Sequence, residues 1–166
     1  MSYLTALEDA DIFYGLSREQ LSKIAAICTE IVLKKDRVLF KENSPGDELY
    51  VVAHGTVEIR VDPAILGPET NTEPKTVALL RRGQTFGEVA LVDQGLRSAS
   101  ARIGEEDTHL LAIGRSDLIA LCEQDYHLGY LIMRNIATDM AFKIRNADLV
   151  VREQLLWRPG DSEVAP

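Results

Sequence analysis

The sequence predicts a mainly β fold of the α+β kind, an antiparallel sandwich or barrel bracketed by helices. Three observations predict it. Residues 30–113 break into short runs rich in β-branched residues, split by Gly, Pro, Asn or Asp. Residues 4–28 and 115–157 instead carry apolar residues at helical steps. The length of 166 residues, with 46% apolar and 27% charged, suits one domain with a sizeable core. The 11 Gly and 6 Pro are ordinary numbers and exclude collagen-like, low-complexity and wholly disordered chains.

The leading helical zone, 4–28, places Leu16, Leu21, Ile24 and Ile27 at steps of three to five residues. Ser17 ahead of Glu19 and Gln20 is an expected N-cap with a polar first turn. The strand zone then reads EIVLKK, RVLF, ELYVVA, TVEIRV, KTVALL, RSASARI and HLLAI, with turns such as SPGD and HGT between runs. Within VEIRV, Val57, Ile59 and Val61 alternate with Glu58 and Arg60, the signature of a half-buried strand. The stretch DPAILGPETNTEP has three Pro and no strand period, so a long surface loop is expected at 62–74. Arg115-Ser116-Asp117 opens a short helix, SDLIALCEQ. A much longer helix follows at about 127–157, with no internal Pro. At ~1.5 Å per residue it would extend roughly 45 Å, too far to lie wholly on so small a domain. Met133, Ala137, Met140, Ile144, Ala147, Val151 and Leu155 alternate steps of four and three, a seam expected to pack first on its own domain and then on a twin. Residues 158–166 are polar with two Pro and read as a disordered tail, leaving one domain at 1–157.

Charge and cysteine usage bound the partners. Eighteen basic against 26 acidic residues give a net charge of −8, too acidic for general binding of nucleic acid or anionic membrane. No helix-turn-helix segment is expected after residue 157. The acidic N-terminus lacks a signal-peptide n-region, and no apolar run reaches the ~20 residues needed to span a bilayer. Cys28 and Cys122 sit in apolar surroundings without CxxC spacing and read as free core thiols. The chain is expected to be cytoplasmic. His54, His109 and His127 form neither HxH nor HExxH, so no metal site and no metal-dependent enzyme is expected. Ser98 and Ser100 lack the sequence setting of a catalytic triad.

The segment that carries chemistry is Phe86-Gly87-Glu88-Val89-Ala90-Leu91, then a turn, then Arg97-Ser98-Ala99-Ser100. Gly83 and Gly87 permit a tight turn and close backbone approach. Residues 88–91 could form one helical turn whose free amides suit an anion. The forked guanidinium of Arg97 suits a phosphate, Ser98 and the amides of Ser98 and Ala99 add neutral donors, and Glu88 is an acceptor for a sugar hydroxyl. The set fits a small molecule carrying a phosphate beside a hydroxyl. The residues alone leave a second reading open: Glu88 and Arg97 simply pair across the turn.

FGEVAL…RSASA resembles the phosphate-binding cassette of the cyclic nucleotide-binding domain family, found in bacterial catabolite activators and in regulatory subunits of cyclic-AMP-dependent protein kinase. SPGDELYVVAHGTVEI, with Gly46 and Gly55 at its turns, LLRRGQTFGE, the leading FYGLSREQLSKIA and the trailing helices extend the likeness over about 10–150. The resemblance implies an antiparallel β jelly-roll barrel with N-terminal helices and a long C-terminal helix that closes over the base. It implies no catalysis and no cofactor, with cyclic AMP, or alternatively cyclic GMP, as ligand. Arg97 would pair with the cyclic phosphate, and Glu88 would accept from the ribose 2′-hydroxyl. Phe86, Gly87, Val89 and Ala90 would shape the cassette, with backbone amides at Gly87 and Ala90, and Ser98 and Ala99 would donate to the phosphate. Lys143, Ala147 and Trp157 would form the base lid.

The chain departs from the family pattern in four places. Lys35-Asp36-Arg37 stands where many members have Gly, Leu96 where many have Pro, the 62–74 loop is long, and Ala147 offers no polar group to a base. Trp157 reads either as a packing or dimer anchor or as a stacking lid. The implied partners are the nucleotide and either a second copy bound through the C-terminal helix or an effector protein. A barrel kept only as an interaction scaffold is the alternative.

Overall fold

The computed structural model describes residues 3–62, 74–89, 92 and 95–156, with the backbone alone for 147–156. The expected 62–74 loop thus lies outside the described residues but for its ends, as do Ala90, Trp157 and the tail.

The leading zone is three short elements: helix α1 (Tyr3–Glu8), a 3₁₀ turn (Asp11–Phe13) and helix α2 (Arg18–Ala26). The expected continuous period from 4 to 28 is therefore corrected; the chain turns at Gly15, with φ +88°, and restarts at Ser17. There the cap is as expected: the Gln20 amide donates to the Ser17 hydroxyl at 3.2 Å, and the Ser17 amide donates back to the Gln20 side chain at 3.0 Å.

Eight strands follow: β1 (Cys28–Leu33), β2 (Val38–Phe40), β3 (Glu48–His54), β4 (Val57–Val61), β5 (Lys75–Leu80), β6 (Thr85–Phe86), β7 (Ser100–Ile103) and β8 (Thr108–Gly114). They form two antiparallel sheets, ordered β1-β8-β3-β6 and β2-β7-β4-β5. The first strand pairs with the last, the second with the next to last, and so inward, which is the jelly-roll scheme. The hydrogen bonding leaves two sheets packed face to face and does not close them into a barrel. β6 was not expected, because two residues carry no readable period. The run RSASARI is strand only from Ser100, because the Arg97 backbone is taken up elsewhere. Its amide donates to the Ser44 carbonyl at 2.9 Å, and its carbonyl accepts from the Asn43 amide at 2.8 Å.

The turn at 35–37 is made without a glycine. Asp36 sits at φ 67°, in the left-handed region that Asp tolerates better than most side chains.

The period-2 rule explains the core. In β3, Leu49, Val51 and Ala53 face the helices while Tyr50 and Val52 face the other sheet; in β8, Leu111 and Ile113 face the helices while Leu110 and Ala112 face the sheet. Both strands bury both faces and hold the centre of the fold. The trailing helices are α3 (Arg115–Gln124) and α4 (Tyr126–Leu156). Leu128, Leu131, Ile132 and Ile136 of α4 are buried, each such side chain contributing roughly 1.5–3 kcal/mol. Met133 and Met140 pack on the core from its margin. One turn further on, Phe142 and Ile144 are 58% and 61% exposed. Both cysteines are free and partly buried against the helical core. Burial pushes the Cys28 thiol up to about 12. Among the described residues no helix is long and apolar enough to cross a membrane.

Candidate functional site

A cavity of about 240 Å³ opens beside the second sheet and brings together most of the expected residues. Phe86, Gly87, Glu88 and Val89 line it from one segment, Arg97, Ser98 and Ala99 from another, and Lys143 from α4. Ala90 and Trp157 lie outside the described residues, and of Ala147 only the helical backbone is described.

Arg97 is held by main chain. It is only 5% exposed, and its Nη1 donates to the carbonyls of Glu48 at 2.9 Å and Gly87 at 3.5 Å. Two glycines make room for it. A Cβ on Gly46 would lie 2.0 Å from Arg97 Nε, and one on Gly87 would lie 2.5 Å from Nη1. Gly87 also takes φ +83°, a conformation that favours glycine. The guanidinium carbon sits 4.2 Å from the Phe40 ring centroid and 5.6 Å from that of Tyr50. No carboxylate among the described residues pairs with this cation, and its buried Nε has no hydrogen-bond partner there. A buried cation ordinarily demands an anionic partner. Arg97 is thus arranged to receive one.

Glu88, also 5% exposed, does not pair with Arg97. Its Oε1 accepts from Lys143 Nζ at 2.6 Å, and Lys143 reaches Asp139 as well, at 2.7 Å. This settles the reading the residues left open. Burial works to lower the Lys143 pKa, but the Glu88 charge and the bonds to Asp139 and Glu88 outweigh it, and the net shift is upward. The acceptor side of the cavity is therefore tied directly to the long helix.

Sequence reasoning missed Phe40, Ile59, Ala78, Thr85, Leu80 and Leu96, which also line the cavity. They come from β2, β4, β5, β6 and the loop before Arg97, and only the fold brings them beside the cassette. Gly46 was visible as a turn residue, but its contact with Arg97 spans 51 positions of chain and leaves no local signal. Most of the added lining is apolar, which gives a planar ring system somewhere to be buried. Among the described residues no group of three or more His, Cys, Asp or Glu is placed to hold a metal ion.

Comparison with known proteins bears on what this cavity is. The sequence profile of the family described as the cyclic nucleotide-binding domain matches residues 30–125. The cyclic AMP receptor protein of Thermus thermophilus is 34% identical over 143 residues, which cover 86% of this chain and 61% of that protein. A cGMP-dependent protein kinase of Caenorhabditis elegans is 27% identical over 115 residues, 69% of this chain but 14% of the kinase. The crystal structure of the Thermus thermophilus catabolite activator protein superposes with a TM-score of 0.73 at 32% identity, covering 87% of this chain and 63% of that one. The chain spans about three fifths of the Thermus protein and much less of the kinase.

Proposed function

The chain belongs to the cyclic nucleotide-binding domain family, and from that premise we propose that its cavity takes one cyclic nucleotide and relays occupancy through α4. The observation that carries the reading is the buried Arg97, which pairs with no carboxylate among the described residues. Its unused donors suit the exocyclic oxygens of a cyclic phosphate, with Ser98 and Ala99 beside it as neutral donors. Glu88 suits the ribose 2′-hydroxyl. The apolar wall of Ile59, Ala78 and Leu80 suits the base. Gly87 and Val89 shape the cassette, with Ala90 in the adjoining segment; Lys143 lies on the lid side, with Ala147 and Trp157 further along.

Cyclic AMP is the ligand in this reading, in keeping with the name of the Thermus relative; cyclic GMP, named for the kinase, is its competitor. The sensor unit is residues 1–157. It has no catalysis of its own, works in the cytoplasm, binds no nucleic acid, and presents α4 to a second copy or an effector.

The relay follows from the Lys143–Glu88 pair. A ribose hydroxyl that donates to Glu88 competes with the ammonium that ties α4 to it, so the ligand interacts differently with two positions of the helix. Such a difference is what allows binding to shift a conformational equilibrium.

Titration calorimetry with cyclic AMP and cyclic GMP tests the reading on wild type, Arg97→Ala and Glu88→Gln. Each charge-assisted bond contributes roughly 1.5–3 kcal/mol, so Arg97→Ala is expected to lose about tenfold to a hundredfold or more in affinity. Glu88→Gln is expected to narrow the preference for cyclic AMP over its 2′-deoxy analogue. Undiminished binding by Arg97→Ala would sink the assigned site. Absence of binding by wild type at millimolar ligand would leave the interaction scaffold instead.

A further inference from the structure

The geometry points to Phe40 as a positioning residue for Arg97, one that holds the phosphate-receiving cation through its ring face. This deepens the proposed function and rests on it for the effect on ligand. The first observation is the stacking itself, a guanidinium carbon 4.2 Å from a ring centroid. That is well within the ~6 Å over which an aromatic quadrupole attracts a cation. The second is that the strand is bent to put the ring there. Between β2 and β7 the register shifts: Val38 faces Arg102 while Phe40 faces Ala101, one residue extra on β2. A regular strand sends neighbouring side chains to opposite faces, yet Leu39 and Phe40 both pack on the core between the sheets. A bulge is the device that re-aims a side chain in this way. The third is that the ring is itself fixed. Its centroid lies 5.9 Å from that of Tyr50 and 6.0 Å from that of Phe86, and those two rings stack at 5.1 Å. Burial, then the hydrogen bond to Glu48, raises the Tyr50 pKa and keeps the phenol neutral.

The physical case is one of competition for donors. A carboxylate would hold Arg97 more strongly, but it would also neutralise the charge and occupy the edge that a phosphate must reach. A ring face attracts the cation from above its plane and leaves the in-plane N–H groups directed outward. Phe40 therefore lowers the cost of keeping the cation buried and limits its rotamers before any anion arrives. Preorganisation of this kind raises affinity by removing an ordering step from binding.

Substituting a fluorinated ring separates electrostatics from packing, because it keeps the shape of Phe and removes the negative face. With pentafluorophenylalanine at position 40, cyclic AMP affinity is expected to fall roughly ten- to thirtyfold while the melting temperature stays near that of wild type. Phe40→Leu should match that loss, and Phe40→Tyr should restore most of the affinity. A fluorinated variant that binds as well as wild type would overturn the assignment. A second readout needs no nucleotide: the Arg97 side-chain Nε–H resonance, assigned by its disappearance in Arg97→Lys. Ring current from Phe40 should displace it upfield, and Phe40→Leu should return it towards the free-arginine position. A resonance that does not move overturns the proposal even if no nucleotide binds. A resonance that moves in a protein that binds no nucleotide supports the Phe40–Arg97 contact and rejects the ligand instead.

Discussion

At the scale of single residues, the site is a cation whose neighbours are chosen for what they lack. Gly46 lacks a side chain where one would strike Arg97 Nε at 2.0 Å. No carboxylate among the described residues forms an ion pair with Arg97, and Glu88, on the other side of the cassette, is engaged by Lys143. Gly46→Ala is therefore expected to displace the guanidinium and lower cyclic AMP affinity by at least about tenfold, the loss of one charge-assisted contact. The Gly46 backbone is outside the positive-φ set, so the fold should survive. Calorimetry beside circular dichroism checks both, and full affinity in a folded Gly46→Ala protein would contradict the contact. Arg97 and Glu88 were legible because the chemistry of the segment is local: a guanidinium, an acceptor and glycines lie within a dozen positions. Phe40 was not, since a Phe inside a strand reads as core whichever ring or cation it meets.

At the scale of elements, caps and turns were the most readable features and short pieces the least. Ser17 caps α2 as expected, and Gln20 completes a capping box with it. β6, two residues long, and the divided leading helices depend on tertiary contacts that no window of sequence contains. The head of α4 carries a pH dependence. The Leu128 amide, with the Gln20 and Lys23 side chains, holds the Asp125 carboxyl below its ordinary 3.8, burial opposing them. A carboxyl whose pKa is lowered by folding contributes fully above its unfolded value, and that contribution is lost as pH falls through the folded one. Asp125→Asn should therefore flatten the decline in melting temperature below about pH 4, measured by scanning calorimetry across the acid limb. A decline as steep as in wild type would remove Asp125 from the acid sensitivity of the fold.

At the scale of the whole molecule, the acidic balance and the anion-seeking cavity are compatible because the site needs one placed cation, not a basic surface. The buried face of α4 is Leu128, Ile132 and Ile136 rather than the expected seam, whose Ala137 is exposed between two residues at the margin of the core. Met133 and Met140 pack on the domain, and Ile144 is 61% exposed. If two copies meet along that continuation, Ile144→Glu should convert dimer to monomer in sedimentation and leave the melting temperature of the domain near wild type. Unchanged sedimentation of a dimeric wild type and its variant would place the contact elsewhere. The nested pairing of strands has a further consequence, for the order in which the molecule can form. β4 and β5 are joined by one connection, whereas Cys28 of β1 must find Ile113 of β8. The entropy of closing a loop grows with its length, so the roll is cheapest to wind from its innermost hairpin outward. Phe40, on β2, belongs to one of the outer turns. A nascent chain that has not yet delivered β7 has no partner strand for the bulge that aims that ring, so Phe40 waits through most of the roll for the late segment that brings both its partner strand and, directly ahead of that strand, its arginine.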